Sequence, residues 1–377
     1  EKLPEVSLDI SSVEIGDSNF YYDSEFSAAN LNIKAGHSAE DTDAVRFDNY
    51  NQLSYPARFP GYFRWISFTP YIGGRQTFYN KDKEGSTHEN FFRGIYYGGF
   101  DMSTRFYRLF DVEKDLWNIE INKLRHLIQP SIEYDYIHRP TVSSSKLGSF
   151  DDIDSISKSN YYTFSIENIL QTKWPVTTTD TIRMHDPFVF DDEEEKSNNL
   201  QVGDMEKVDL VSLLTKVYFY PHPEELVSPF SNIYGELDLK PYRWLTAGVD
   251  SSYDHSTRDF DGVNVDLTAT KPNWDFTLGS RYVKKSSCEV TTDLNYILNN
   301  KWKFGVMERY EFKGDEALIE QEYRITRDLH CWLLDITYNI KDGESYWIVF
   351  RLKAFPEIPF EFDTAYHQPK EGSEIPP

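Results

Sequence analysis

The chain has 377 residues, 16% of them aromatic, a mean hydropathy of −0.59 and a formal net charge of −23. That charge excludes nucleic acid as a partner, because phosphates need Lys and Arg. It holds no run of about 18 or more apolar residues, which excludes a helical membrane protein. Aromatic richness with low hydropathy suits strands in which only every second residue meets an apolar phase, as in a transmembrane β-barrel or a soluble aromatic-rich β protein.

In chain order, runs rich in Val, Ile, Thr, Tyr, Phe and Trp predict strands near residues 19–33, 44–55, 63–79, 92–110 and 116–138. Pro70 and Pro130 fall within these runs and predict a bulge or a weakened seam, since proline removes a ladder hydrogen bond. A strand near 160–170 follows, then a polar stretch over 171–207, read as a long external loop. Its acidic run, Asp191-Asp192-Glu193-Glu194-Glu195, is a solvated loop or a cation site without the spaced ligands of a calcium loop. One more strand is predicted near 208–220.

Beyond that the alternation is strict. Val263, Val265, Leu267 and Ala269 face one way and Asn264, Asp266, Thr268 and Thr270 the other. Trp274, Phe276, Leu278 and Tyr282 repeat the pattern, as do Trp302, Phe304, Val306 and Tyr310, then Trp332, Leu334, Ile336, Tyr338 and Ile340. The last clear strand carries Tyr346, Ile348, Phe350 and Leu352 on one face. Trp244, Trp274, Trp302 and Trp332 recur at a nearly constant interval, each just after a short turn. Indoles favour the level where headgroups meet hydrocarbon, so these four are expected to form an interfacial aromatic belt. Short turns on their side and longer connections opposite place the Trp end at the periplasm. The fold class expected is all-β: an antiparallel transmembrane barrel of about sixteen strands, with residues 1–377 as one barrel domain.

No catalytic, metal or cofactor pattern emerges. The histidines are scattered, the two cysteines, Cys288 and Cys331, lack metal-ligand spacing, and no Gly-x-Ser-x-Gly, His-Glu-x-x-His or phosphate loop occurs. A rim enzyme assembled from distant strands stays open. So do a general porin and a soluble carbohydrate-binding module.

Several stretches resemble the C-terminal barrel of the LptD family, the lipopolysaccharide-assembly or organic solvent tolerance proteins. They are Leu3-Pro4-Glu5-Val6-Ser7-Leu8, Arg46-Phe47-Asp48 with Leu53-Ser54-Tyr55-Pro56, and Phe68-Thr69-Pro70-Tyr71-Ile72-Gly73-Gly74-Arg75. Further along come Leu124-Arg125-His126-Leu127-Ile128-Gln129-Pro130, Phe150-Asp151-Asp152-Ile153-Asp154-Ser155-Ile156, and Leu329-His330-Cys331-Trp332 with Trp347-Ile348-Val349-Phe350. The resemblance implies an outer-membrane translocon that carries lipopolysaccharide through a barrel lumen and a lateral gate. It implies as partners a plugging LptE-like lipoprotein, periplasmic lipopolysaccharide-bridge components and the barrel-assembly machinery. Family barrels have roughly two dozen or more strands and a preceding periplasmic jellyroll. The chain therefore resembles the C-terminal part of a longer, incomplete barrel, with Tyr346–Leu352 as the closing, gate-side strand. Cys331 falls on the family position that forms a disulfide to the N-terminal domain; Cys288 does not.

Overall fold

The computed structural model describes residues 2–33, 42–59, 61–81, 90–116, 119–148, 150–175, 204–223, 228–313, 318–341, 343–353 and 355–366. The acidic run at 191–195 and most of the stretch around it lie outside these residues.

The architecture is all-β and antiparallel. In chain order the first strands are β1 (Lys2–Glu14), β2 (Tyr21–Ile33), β3 (Thr42–Ser54), β4 (Ala57–Arg58), β5 (Ile66–Tyr79), β6 (Phe91–Thr104), β7 (Phe106–Leu116), β8 (Ile119–Ile137), β9 (Ser159–Pro175) and β10 (Met205–Phe219). Then come β11 (Phe230–Tyr242), β12 (Leu245–Asp254), β13 (Asp259–Lys271), β14 (Trp274–Val283), β15 (Ser287–Asn299), β16 (Trp302–Glu311), β17 (Leu318–Asp328), β18 (Trp332–Ile340), β19 (Glu344–Leu352) and β20 (Phe355–Tyr366). β3 and β4 are one wall strand interrupted at Tyr55-Pro56, and β6 and β7 are one strand broken at Arg105, which leaves 18 wall strands among the described residues, against about sixteen expected. The sole α-helix among the described residues is a single turn, α1 (Asp152–Ser155).

Two compact units divide the chain. The first comprises Glu1–Phe106, Ile128–Ile166 and Lys216–Ser231; the second comprises Tyr107–Leu127, Glu167–Thr215 and Asn232–Pro377. In the first, β1 pairs with β2, β2 with β3, β3 with β5, β5 with β6 and β6 with β8. One face carries Val6, Leu8, Ile10, Phe47, Ile72, Phe92 and Tyr96, all exposed. The opposite face carries Arg46, Asp48, Thr77, Tyr79 and Arg93, all buried. This inverts the burial of a soluble sheet, whose apolar face is the covered one. It is what lipid outside and polar groups inside require. Two tyrosine–glycine pairs knit β5 to β6: Gly73 faces Tyr97 and Tyr71 faces Gly99. A Cβ on Gly73 would lie 2.2 Å from Tyr97 Oη, and one on Gly99 1.9 Å from the Tyr134 carbonyl, so only glycine leaves room for each ring.

The proline expectation holds at Pro70. Tyr55 N–H donates to the Pro70 carbonyl at 3.0 Å, but Pro70 has no N–H to return, and the β3–β5 ladder stops at Ser54–Tyr71. Pairing resumes at Ala57–Phe68. At Pro130 the β6–β8 ladder likewise ends one residue away, at Ser103–Ser131.

In the second unit β11 to β20 form an unbroken antiparallel meander. One rung crosses seven strands through Ala269, Phe276, Leu294, Val306, Tyr323, Tyr338 and Tyr346. Leu294, Val306, Tyr323 and Tyr346 of that rung are exposed. The other face is laced with ion pairs: Arg281–Asp266 at 2.8 Å, Arg324–Asp293 at 2.6 Å, Arg351–Asp335 at 2.5 Å and Arg309–Glu320 at 2.5 Å. Beside β9 and β10 a small buried apolar cluster of Trp174, Val208 and Leu210 packs on Ile119, Ile121 and Leu124.

Three expectations need correction. β1 is a full strand, exposed along its length and with Val6, Leu8 and Ile10 on one face, where no strand was expected. β19 is not the closing strand, because β20 follows it and pairs with it from Glu344–Tyr366 to Leu352–Phe355. Pro356 and Pro359 hide β20 from a propensity reading. Finally, residues 171–175 continue β9, and β9 ends beside the Trp244 turn: Arg243 Nη2 donates to the Pro175 carbonyl at 2.6 Å and its guanidinium lies 5.1 Å over the Trp174 ring. The rest of the predicted loop, residues 176–203, lies outside the described residues.

Candidate functional site

The polar face of the first unit gathers a set of charges that no single stretch of sequence contains. β3 places Arg46 and Asp48 two residues apart on one face. Across the ladder Arg46 faces Tyr79 and Asp48 faces Thr77, and β6 adds Arg93 opposite Thr77. Against these packs the connection from β8 to β9, which contains α1. Asp151 caps that turn by accepting from Ile153 N–H at 3.0 Å, and Asp154 reaches back to the N–H groups of Asp151 at 3.2 Å and Phe150 at 2.9 Å. This is a capping box, with a shorter Asp in the role usually held by Glu or Gln.

The two halves lock through Arg46. Its Nη1 and Nη2 donate to the two oxygens of Asp151 at 2.7 and 2.5 Å, a bidentate fork, and Nη1 reaches Asp154 Oδ1 at 3.3 Å. Tyr79 donates to the same Asp154 oxygen at 2.5 Å. Arg93 holds the loop by its backbone, donating to the carbonyls of Val142 at 3.2 Å, Ile153 at 2.7 Å and Ile156. Arg46 is 1% exposed, Arg93 0% and Asp154 2%. Thr141 clips the start of the loop to the β6 edge, with its N–H on the Gly94 carbonyl at 3.1 Å and its hydroxyl accepting from Gly94 N–H at 2.8 Å.

Every member of the cluster is tied to another, with Arg46 Nε alone buried without a hydrogen-bond partner, and none is paired as a nucleophile with a base. The arrangement fixes a loop against a wall and offers no acid–base or covalent chemistry. Among the described residues no group of His, Cys, Asp and Glu could hold a metal ion.

The residues singled out from sequence lie elsewhere. Trp274, Trp302 and Trp332 each open a strand, and Trp244 sits in the turn before β12. Trp274 and Trp302 are half-buried and Trp332 is exposed. Cys331 is exposed in the turn between β17 and β18, and Cys288 is half-buried in β15. Tyr346, Ile348, Phe350 and Leu352 lie on one face of β19. All of these belong to the second unit, and the Arg46 cluster to the first. Sequence reasoning marked the segments around Arg46 and Asp151 separately and did not bring them together. The available signal was a lone arginine on a polar strand face and a capped, acidic Asp-Asp-Ile-Asp-Ser turn.

The family model described as LptD, LPS transport system D, matches residues 3–327. The chain belongs to the LptD family. It is accordingly an outer-membrane protein of a family that works in lipopolysaccharide transport. The Arg46 cluster lies within the matched residues, whereas Cys331, Trp332 and β19 lie beyond them. No curated protein matches the chain. Among solved structures, the ferric enterobactin receptor PfeA in complex with BCV-L6 is similar at 9% identity with a TM-score of 0.33, over 93% of this chain and 64% of that one. The LptD-family chain thus spans less than two thirds of that receptor. A mutant of the Rh. blastica porin is similar at 8% identity and a TM-score of 0.24, over 83% of this chain and 96% of the porin.

Proposed function

We propose that this LptD-family chain is the membrane domain, over residues 1–377, of a translocon that delivers lipopolysaccharide to the outer leaflet. The glycolipid's charged part travels along the polar faces of the wall and its acyl chains leave through a lateral gate. The observation that carries this reading is the family match over residues 3–327. The separation of an exposed apolar face from an ion-paired polar face supports it, because an anionic glycolipid needs both surfaces along its path. The Arg46 cluster fits as a device that pins the β8–β9 loop to the wall and fixes the bore of the path.

The partners are lipopolysaccharide, an LptE-like lipoprotein plug, periplasmic bridge components and the barrel-assembly machinery. Cys331 is exposed at the Trp edge, where a thiol in an oxidising compartment can bond a periplasmic domain. The four tryptophans act as the belt at that edge. Their register supports this: Trp274 shares a rung with Phe304, two residues beyond Trp302, and Trp302 shares one with Leu334, two residues beyond Trp332. A two-residue stagger per two strands corresponds to a tilt of roughly 35° if the indoles share a plane, within the usual range for such walls.

Depleting the full-length protein tests the proposal. Newly made lipopolysaccharide should accumulate inside the outer membrane; undiminished surface display after depletion would refute transport by this chain.

A further inference from the structure

On the second unit, the apolar face ends at the Trp edge in two cations whose neighbours are indoles. Lys271 closes β13, sits across the hairpin from Trp274, and holds its Nζ 4.4 Å from the centre of the Trp244 ring. Arg327, near the end of β17, sits across from Trp302, with Cζ 4.7 Å from that ring. Each follows in register an apolar residue of the lipid-facing side, Ala269 and Ile325, so each belongs to that side. Among the described residues neither has a carboxylate within ion-pair distance. The opposite edge differs. There Lys284 is paired with Asp259 at 3.2 Å and Asp261 at 3.7 Å, and Lys313, though 5.0 Å over Tyr282, donates to the Val283 carbonyl at 3.1 Å.

A cation facing hydrocarbon is expensive, and one at the headgroup level is not, provided an anion meets it there. The chain is strongly acidic, yet it leaves these two cations without a carboxylate, on the lipid side, at the end of the apolar band. We propose that Lys271 and Arg327, each backed by an indole, form headgroup sites for an anionic glycerophospholipid of the phosphatidylglycerol type in the leaflet at the Trp edge. The cation meets the lipid phosphate, and the ring lies beside the glycerol esters. The proposal rests on the membrane location and not on the transport reading, so its readout contains no transport step.

The test is native mass spectrometry of the full-length protein in detergent, offered phosphatidylglycerol, phosphatidylcholine and lipid A in competition. The wild type should retain phosphatidylglycerol over phosphatidylcholine. K271Q and R327Q should each lower that preference about fivefold, the effect of one Lys or Arg at a membrane surface. K271R and R327K should keep it, and K313Q should leave it unchanged. Raising the ammonium acetate concentration should weaken the wild-type preference, a readout that needs no variant. An unchanged preference in K271Q and R327Q, an equal loss in K313Q, a salt-independent preference, or lipid A displacing phosphatidylglycerol would each overturn the site.

Discussion

Arg46 shows how much one side chain can settle. Its guanidinium is buried and bidentate to Asp151, a residue 105 positions away. Replacing it with Gln leaves Asp151 and Asp154 without their cation in a covered site, and the expected loss is roughly 3–5 kcal/mol. Heat-modifiability on gels, followed against temperature, reads it directly, and an unshifted R46Q transition would show the pair to be dispensable. R46K should fall between, because an ammonium keeps the charge but not the fork. The glycines of β5 and β6 permit a second comparison. Gly99→Ala forces a methyl against the Tyr134 carbonyl, whereas at Gly74 the nearest atom, the Ile95 carbonyl, is 3.4 Å away. G99A should lose about 1–3 kcal/mol by overpacking, and G74A clearly less, in the same melting assay. Cys331 gives a third: a reduction-sensitive band shift in the full-length protein should vanish in C331S and persist in C288S. Arg46, Asp48, Asp151 and Asp154 were legible in the sequence as motif members, and Tyr79 and Arg93 were not. The meeting of the cluster was not legible, because an ion pair between a strand and a distant loop leaves no periodic trace.

Elements were read best where each hairpin is short and each strand alternates. β13, β14, β16 and β18 begin and end within a few residues of expectation, because period two and the turn residues point the same way. The reading faltered where one strand changes course. Residues 92–110 read as one strand, and the wall bends at Arg105, whose side chain turns to Gln129 at 2.7 Å. It failed at β20, where two prolines argue against a paired strand and the ladder with β19 forms nonetheless. β9 runs on to Pro175, past its expected end near 170, because composition reveals polarity but not where a ladder stops. The tryptophan stagger makes an element-level prediction. In variants that retain a single tryptophan at 274, 302 or 332, lipids brominated at graded depths should quench all three at one common depth. Unrelated depths would remove the belt.

At the scale of the whole molecule, the LptD-family chain combines a net charge of −23 with strand faces that expose apolar side chains. Composition alone was enough to exclude a helical membrane protein, and alternation was enough to identify a wall that crosses by strands. What no composition could supply is the timing that the Arg46 staple imposes. The strand holding Arg46 leaves the ribosome well before Asp151 and Asp154 exist, so for that interval its guanidinium has no counterion of its own. A wall entering the bilayer one hairpin at a time, in order of synthesis, would seal that bare charge beneath an unfinished rim. Biogenesis that waits until the β8–β9 segment has docked avoids this trap. A wall whose buried Arg46 meets its carboxylates only in the β8–β9 segment is therefore expected to commit to the membrane late and collectively rather than piecemeal.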